Sequence, residues 1–166
     1  MHIGDSIIEK LLRKKDISDA QIAKLRDLAV SEKKLLQDVV LKNKVISEDD
    51  LTKLYAAEIE VPLAKINPTD IKKEDLRLLP ERIARQYRAV VFGVDNGVKL
   101  VAMEDPDDVQ ARNFLQHQLG HNIHIHITTT SLLQTALDQY RDNVGSDLTK
   151  VIPTVDEVEE IEEVDE

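Results

Sequence analysis

The sequence predicts an α+β protein: a helical first unit, then a small three-stranded layer in the order α-β-β-α-β-α. Three observations predict it. Apolar residues recur at helical spacing through the first sixty positions, with a serine before each of two amphipathic runs. Two β-branched runs are then separated by Asp95-Asn96-Gly97, a hairpin turn signal. Finally, an alternating run from Asn122 to Thr128 sits between two capped helical patterns.

Each element has its own reason. Ile7, Ile8, Leu11 and Leu12 share the face of a first helix. Ser18, with Gln21 three residues on, is a capping-box arrangement opening a second helix, whose apolar side carries Ile22, Leu25, Leu28 and Ala29. Leu35, Leu36, Val39, Val40 and Leu41 suggest a short third helix. Ser47 opens a fourth with Leu51, Leu54 and Tyr55 on its face. Lys15-Asp16-Ile17-Ser18 and Lys44-Val45-Ile46-Ser47 lie 29 residues apart, which reads as two related helical hairpins packed on each other. Pro62 disfavours helix at Val61, so Val61-Pro62-Leu63 is extended. Pro68 and the charged stretch Asp70 to Asp75 form a connector. Pro80 can sit in the first turn of a helix reaching about Tyr87. Ala89 to Val94 and Val98 to Met103 are the hairpin strands. Asp105 is the expected cap of the next helix, with Pro106 at its first position and Gly120 at its stop. Thr129 or Thr130 caps a last helix carrying Leu133, Ala136, Leu137 and Tyr140. The expected division is a helical unit at 1–60, a connector at 61–75, an α+β unit at 76–145 and an acidic linker at 146–166.

Composition narrows the function classes. Aromatic content is only 3%, so the core is aliphatic, and cysteine is absent, which removes disulfides and thiolate chemistry. The net charge of −10 is unevenly spread. Residues 146–166 hold nine acids and one lysine, or −8, which leaves −2 for the remainder. A nearly neutral body with a polyanionic tail argues against nucleic acid as a partner. No apolar run approaches the ~20 residues a membrane span needs, so direct membrane insertion is not expected, and no signal peptide is visible. A cytoplasmic location is the expectation.

Motifs for chemistry are sparse. No pair of the five glycines has phosphate-loop spacing with a following Lys, and no nucleophile elbow occurs. His117, His121, His124 and His126 crowd one stretch, and a strand would put His124 and His126 on one face. A small metal-binding protein using this His117–His126 cluster is one alternative reading, but no nearby carboxylate or cysteine completes a ligand set. The plainer reading is polar residues facing outward, so the expectation is no catalytic residue, no metal ligand and no cofactor. Arg82, Arg85, Arg88 and Lys99 near the helix–hairpin junction are candidates for a patch that meets an acidic partner.

Residues from about Leu35 to Tyr140 carry a specific run: Ile46-Ser47, Leu51, Val61-Pro62, Leu78-Leu79-Pro80, Ala84-Arg85, Leu100-Val101-Ala102-Met103 and Asp105-Pro106. In order and spacing this resembles the N-terminal domain of type II secretion E-component and type IV pilus assembly ATPases. The resemblance implies a non-catalytic docking or regulatory domain. It would be joined by a linker to its own ATPase domain and would bind the cytoplasmic part of an inner-membrane platform protein, peripheral to that membrane through its partners. Relatives of the MshEN type bind cyclic di-GMP, and a sensor of that kind is the other alternative. Their helical repeat opens Arg-Leu-Gly, has a second Gly before the turn, and ends in Gln. Here Leu35-Leu36-Gln37 stands at the opening, Lys44 at the second Gly and Glu58 at the Gln; in the first copy Ser6-Ile7-Ile8 and Lys15 fill the first two places. Loss of the Arg removes a guanidinium that stacks on a base, and Glu in place of Gln adds a charge that repels phosphate. On those grounds cyclic di-GMP is not expected to bind.

Overall fold

A computed structural model describes residues 2–141. The architecture is α+β, with helices packed into one apolar body and helices laid against a three-stranded sheet in another. The acidic segment 146–166 lies outside the described residues.

The first body is two helical hairpins. Helix α1 (Asp5–Lys14) buries Ile8, Leu11 and Leu12. Its end is closed by bonds from Ile17 N–H to Leu12 O and from Asp16 N–H to Arg13 O, both 3.1 Å, the two-bond Schellman closure. Helix α2 (Asp19–Glu32) starts on the expected capping box: Ser18 Oγ accepts from Gln21 N–H, and Ser18 N–H donates to Gln21 Oε1, each at 3.2 Å. Helix α3 (Leu36–Lys42) closes like α1, with Val45 N–H on Val40 O and Lys44 N–H on Leu41 O. Helix α4 (Glu48–Ile59) is capped by Ser47, which accepts from Asp50 N–H at 3.1 Å. The two hairpins therefore close alike in hydrogen bonding but differ in spacing. The left-handed residue is Asp16 (φ 60), two before its cap, in the first copy, and Lys44 (φ 56), three before its cap, in the second. The second turn is one residue longer.

The connector is not plain coil. A 3-10 turn at Pro68–Asp70 leads into a short helix, α5 (Lys73–Leu76). Its charges mask the one side chain that matters, Leu76, which is fully buried. Tyr140 Oη sits 2.9 Å from Leu76 O and 2.8 Å from Leu79 O, so a residue far along the chain serves the carbonyls that so short a helix leaves open.

Helix α6 (Glu81–Tyr87) takes Pro80 as its N-cap. Strands β1 (Ala89–Asp95) and β2 (Val98–Met103) pair antiparallel through Asn96 (φ 51) and Gly97 (φ 81), a turn with both central residues at positive φ. A bulge between Val91 and Gly93 shifts the register. Helix α7 (Val109–Leu119) then crosses over, and β3 (Ile123–Ile127) joins β2 in parallel, giving the sheet order β1-β2-β3. The cap of α7 is Asp108, which accepts from Ala111 N–H at 3.0 Å, rather than Asp105. Asp105 and Asp108 close a turn of their own, Asp108 N–H to Asp105 O at 3.1 Å, and this delays the helix by three residues. The last helix, α8, runs over 130–141 within the described residues. Thr129 Oγ1 accepts from Leu132 N–H at 3.1 Å as its cap, and Leu133, Ala136, Leu137 and Tyr140 are buried.

Buried apolar residues fall into two clusters, one within the hairpins and one between the sheet and α5–α8. Ile127 belongs to the first although it lies on β3, because residues 62–64 run beside the end of that strand. Ile127 N–H donates to Pro62 O and Ala64 N–H donates to Ile127 O, each at 2.8 Å.

Candidate functional site

The most ligand-like surface lies where the hairpin turns meet. Both turns interrupt a helix pair just where Ile17, Val45 and Ile46 must reach the core, and the left-handed residues there fold the following chain back onto the helix ends. Two open grooves result. One, of about 240 Å³, is lined by Ile17, Gln21, Lys24, Leu25 and Val45, an apolar floor with an ammonium and an amide at its rim. The other, of about 370 Å³, is lined by Leu41, Lys44, Ile46, Ser47 and Glu48. Apolar surface for a flat ring beside a cation for a phosphate suits a nucleotide-like ligand.

The electrostatics of this unit differ from those the sequence suggests. Glu58 is not an open negative charge. Lys10 Nζ donates to its Oε1 at 2.5 Å and Lys14 Nζ to its Oε2 at 3.2 Å, and these bonds hold its carboxyl below the ordinary range. Lys44 stands exposed at the rim of its groove.

The four cationic candidates are not brought together as one surface. Arg85 pairs with Glu81 at 2.9 Å and donates to Leu137 O at 3.1 Å. Arg88 (φ 50) donates to Glu104 at 2.6 Å and to Gln134 at 3.2 Å. Lys99 Nζ donates to Leu119 O at 2.6 Å, tying β2 to the end of α7. Arg82 is the exposed one of the four. The Arg88–Glu104 pair is the most constrained charge contact. Burial disfavours ionised Glu104, but donors around it, Arg88 and Thr130 among them, outweigh burial and set its pKa at about 2.

The histidines spread. His117 and His121 are exposed, the first on α7 and the second in the loop before β3. The His124 and His126 rings meet edge-on at 4.5 Å, and His126 also stands edge-on to Phe92 at 5.2 Å. Burial pushes the His126 imidazole down, opposed in part by its hydrogen bond to the His124 carbonyl. Among the described residues no three His, Cys, Asp or Glu side chains converge as a metal site. No described helix is long and apolar enough to cross a membrane.

Three contacts that position these surfaces were missed by sequence reasoning: Lys10 and Lys14 with Glu58, Tyr55 with Asp107, and Glu48 with Ser131. Each joins residues at least 44 positions apart. No local pattern marks them.

Comparison with known proteins gives a consistent result. The profile of the MshEN domain matches residues 59–147. The chain is 24% identical over 152 residues to the type IV pilus assembly ATPase PilB of Myxococcus xanthus (strain DK1622), a match that spans 91% of this chain but only 27% of PilB. The solved structure of MshE with cyclic di-GMP is similar at a TM-score of 0.64 and 27% identity, over 79% of this chain and 96% of that one. The N-terminal domain of XpsE shares the fold at a TM-score of 0.56 and 17% identity, over 83% of this chain and 96% of that one.

These findings correct the exclusion of cyclic di-GMP. The family match and the nucleotide-bound MshE structure point toward that ligand. The physical error was to judge Glu58 and the missing Arg as isolated letters. Folded, the Glu58 charge is met by two lysines, and Lys44 adds a cation beside a groove where a glycine would add none. The profile covers more than half of the 166 residues, and the chain belongs to the MshEN domain family.

Proposed function

We propose that this chain is the N-terminal regulatory module of a type IV pilus assembly or type II secretion motor ATPase, and that its helical hairpins take up cyclic di-GMP. The observation that carries the reading is the likeness to MshE with its nucleotide, extending over 96% of that chain. The grooves supply suitable chemistry: apolar floors at Ile17, Leu25, Val45 and Ile46, with Lys24 and Lys44 placed for phosphates. The sequence contains no phosphate loop for ATP, so turnover belongs to another part of a longer polypeptide.

Calorimetry of the chain with cyclic di-GMP tests the proposal. Saturable binding is expected, weakened about tenfold or more by Lys44→Glu, since charge reversal places like charges together. Silence at high micromolar ligand removes the nucleotide reading.

A docking role accompanies it. Val30 (76% exposed) and Leu35 (45% exposed) stand at the corner between α2 and α3, apolar surface the fold leaves uncovered. We assign that corner to the cytoplasmic part of an inner-membrane platform protein. Val30→Asp with Leu35→Ser should abolish capture by such a partner while leaving nucleotide binding intact; undiminished capture removes this assignment.

A further inference from the structure

We propose that α4 carries a two-point polar clasp that holds the two apolar bodies together, and that the bodies part as folded units when it opens. The first point is Glu48, in the first turn of α4. Its Oε1 accepts from Ser131 N–H at 3.0 Å and its Oε2 accepts from Ser131 Oγ–H at 2.7 Å. Thr129 already caps α8, so Glu48 is a second carboxylate cap, delivered from the other body to amide and hydroxyl donors at the helix start. The second point is Tyr55, two turns further along α4. Its ring is buried among the hairpins (1% exposed), and its hydroxyl donates to Asp107 in the turn before α7.

Between these points the apolar join seen among the described residues is small. It consists of Ile127 with the chain at 61–64, and that chain is also the covalent connection. Each body has its own cluster of fully buried side chains: Leu11, Leu36 and Leu51 in one, Leu79, Met103 and Leu115 in the other. Opening therefore exposes little apolar area, and neither core is consumed. The contacts that resist it are polar, the N-terminal segment at His2 beside Glu104 and Asp105 adding to the two points on α4, and Ser131 is exposed at the surface. Glu48 also lines the groove shared with Lys44, so whatever fills that groove touches the clasp directly.

The test uses the chain's lack of cysteine. Spin labels are placed on Ser31→Cys in α2 and Gln118→Cys in α7, both exposed. Their distance distribution is compared in the parent and in Glu48→Ala with Tyr55→Phe. The expected result is one narrow distribution in the parent and a second, broader population in the double variant. Exchange of the Ser131 amide should rise about fivefold or more, as for a lost cap. Glu48→Gln, which keeps one acceptor oxygen, should fall between. Amides of Leu11, Val40, Val101 and Leu115 should keep their protection. An unchanged distribution in the double variant overturns the clasp. So does a broadened distribution accompanied by loss of protection in either core, because the variant would then be unfolding instead of opening.

Discussion

Glu104 makes a specific forecast about acid stability. Its side chain is 10% exposed and pairs with Arg88 at 2.6 Å, and Thr130 donates to its other oxygen at 2.9 Å. Burial opposes its ionisation, but the surrounding donors win, and the pKa falls from 4.5 to about 2. At about 1.36 kcal/mol per pH unit, the ionised form contributes on the order of 3 kcal/mol to the folded state. The sign follows from the direction of the shift. A carboxyl depressed on folding stabilises above its unfolded pKa, and that stability drains as pH falls through 4.5 toward 2. By pH ~2.5 most of it should be gone. The perturbation is Glu104→Gln, which keeps the shape but cannot titrate. Urea unfolding followed by circular dichroism between pH 7 and pH ~2.5 should show the parent losing about 2–3 kcal/mol more than the variant, since all other carboxylates are common to both. Two stability curves that run parallel across that range would refute the argument, because they would mean that the donors around Glu104 do not together hold it ionised in the folded state.

Tyr140→Phe leaves the carbonyls of Leu76 and Leu79 without their shared hydroxyl and should lower stability by about 1–2 kcal/mol, read as a shift in urea midpoint at constant slope. An unmoved midpoint would mean that water replaces it. Gly97→Ala introduces a Cβ that meets nothing within 4 Å but must adopt φ +81, so about 1 kcal/mol should be lost through the backbone alone. A loss several times larger in the same unfolding assay would point to a steric cause instead.

Much of the fold was written locally. Ser18 with Gln21, and Ser47 with Asp50, act within four residues, and each found its partner in the structure as its spacing required. Asn96-Gly97 fixed a hairpin because few residues other than glycine tolerate positive φ cheaply. The cap of α7 moved from Asp105 to Asp108 because four nearby residues, three of them acidic, offered competing turns, and a local reading cannot rank them. The helix at α5 was hidden because its sequence is charged and its stability rests on Leu76 and on Tyr140, 64 positions away.

The surface chemistry was decided only by tertiary structure. Arg85, Arg88 and Lys99 read as available cations, but the fold turns each inward onto Glu81, Glu104 or a helix carbonyl. Glu58 read as a charge that would repel phosphate, but α1 lays Lys10 and Lys14 against it. The sequence by itself determined the order of elements, the aliphatic core and the absence of a phosphate loop. Those follow from hydrogen bonds and periodicities that close within a few residues. Which charges stay free to meet a partner depends on neighbours brought near by chain reversal, and electrostatic pairing acts through space without regard to separation along the chain.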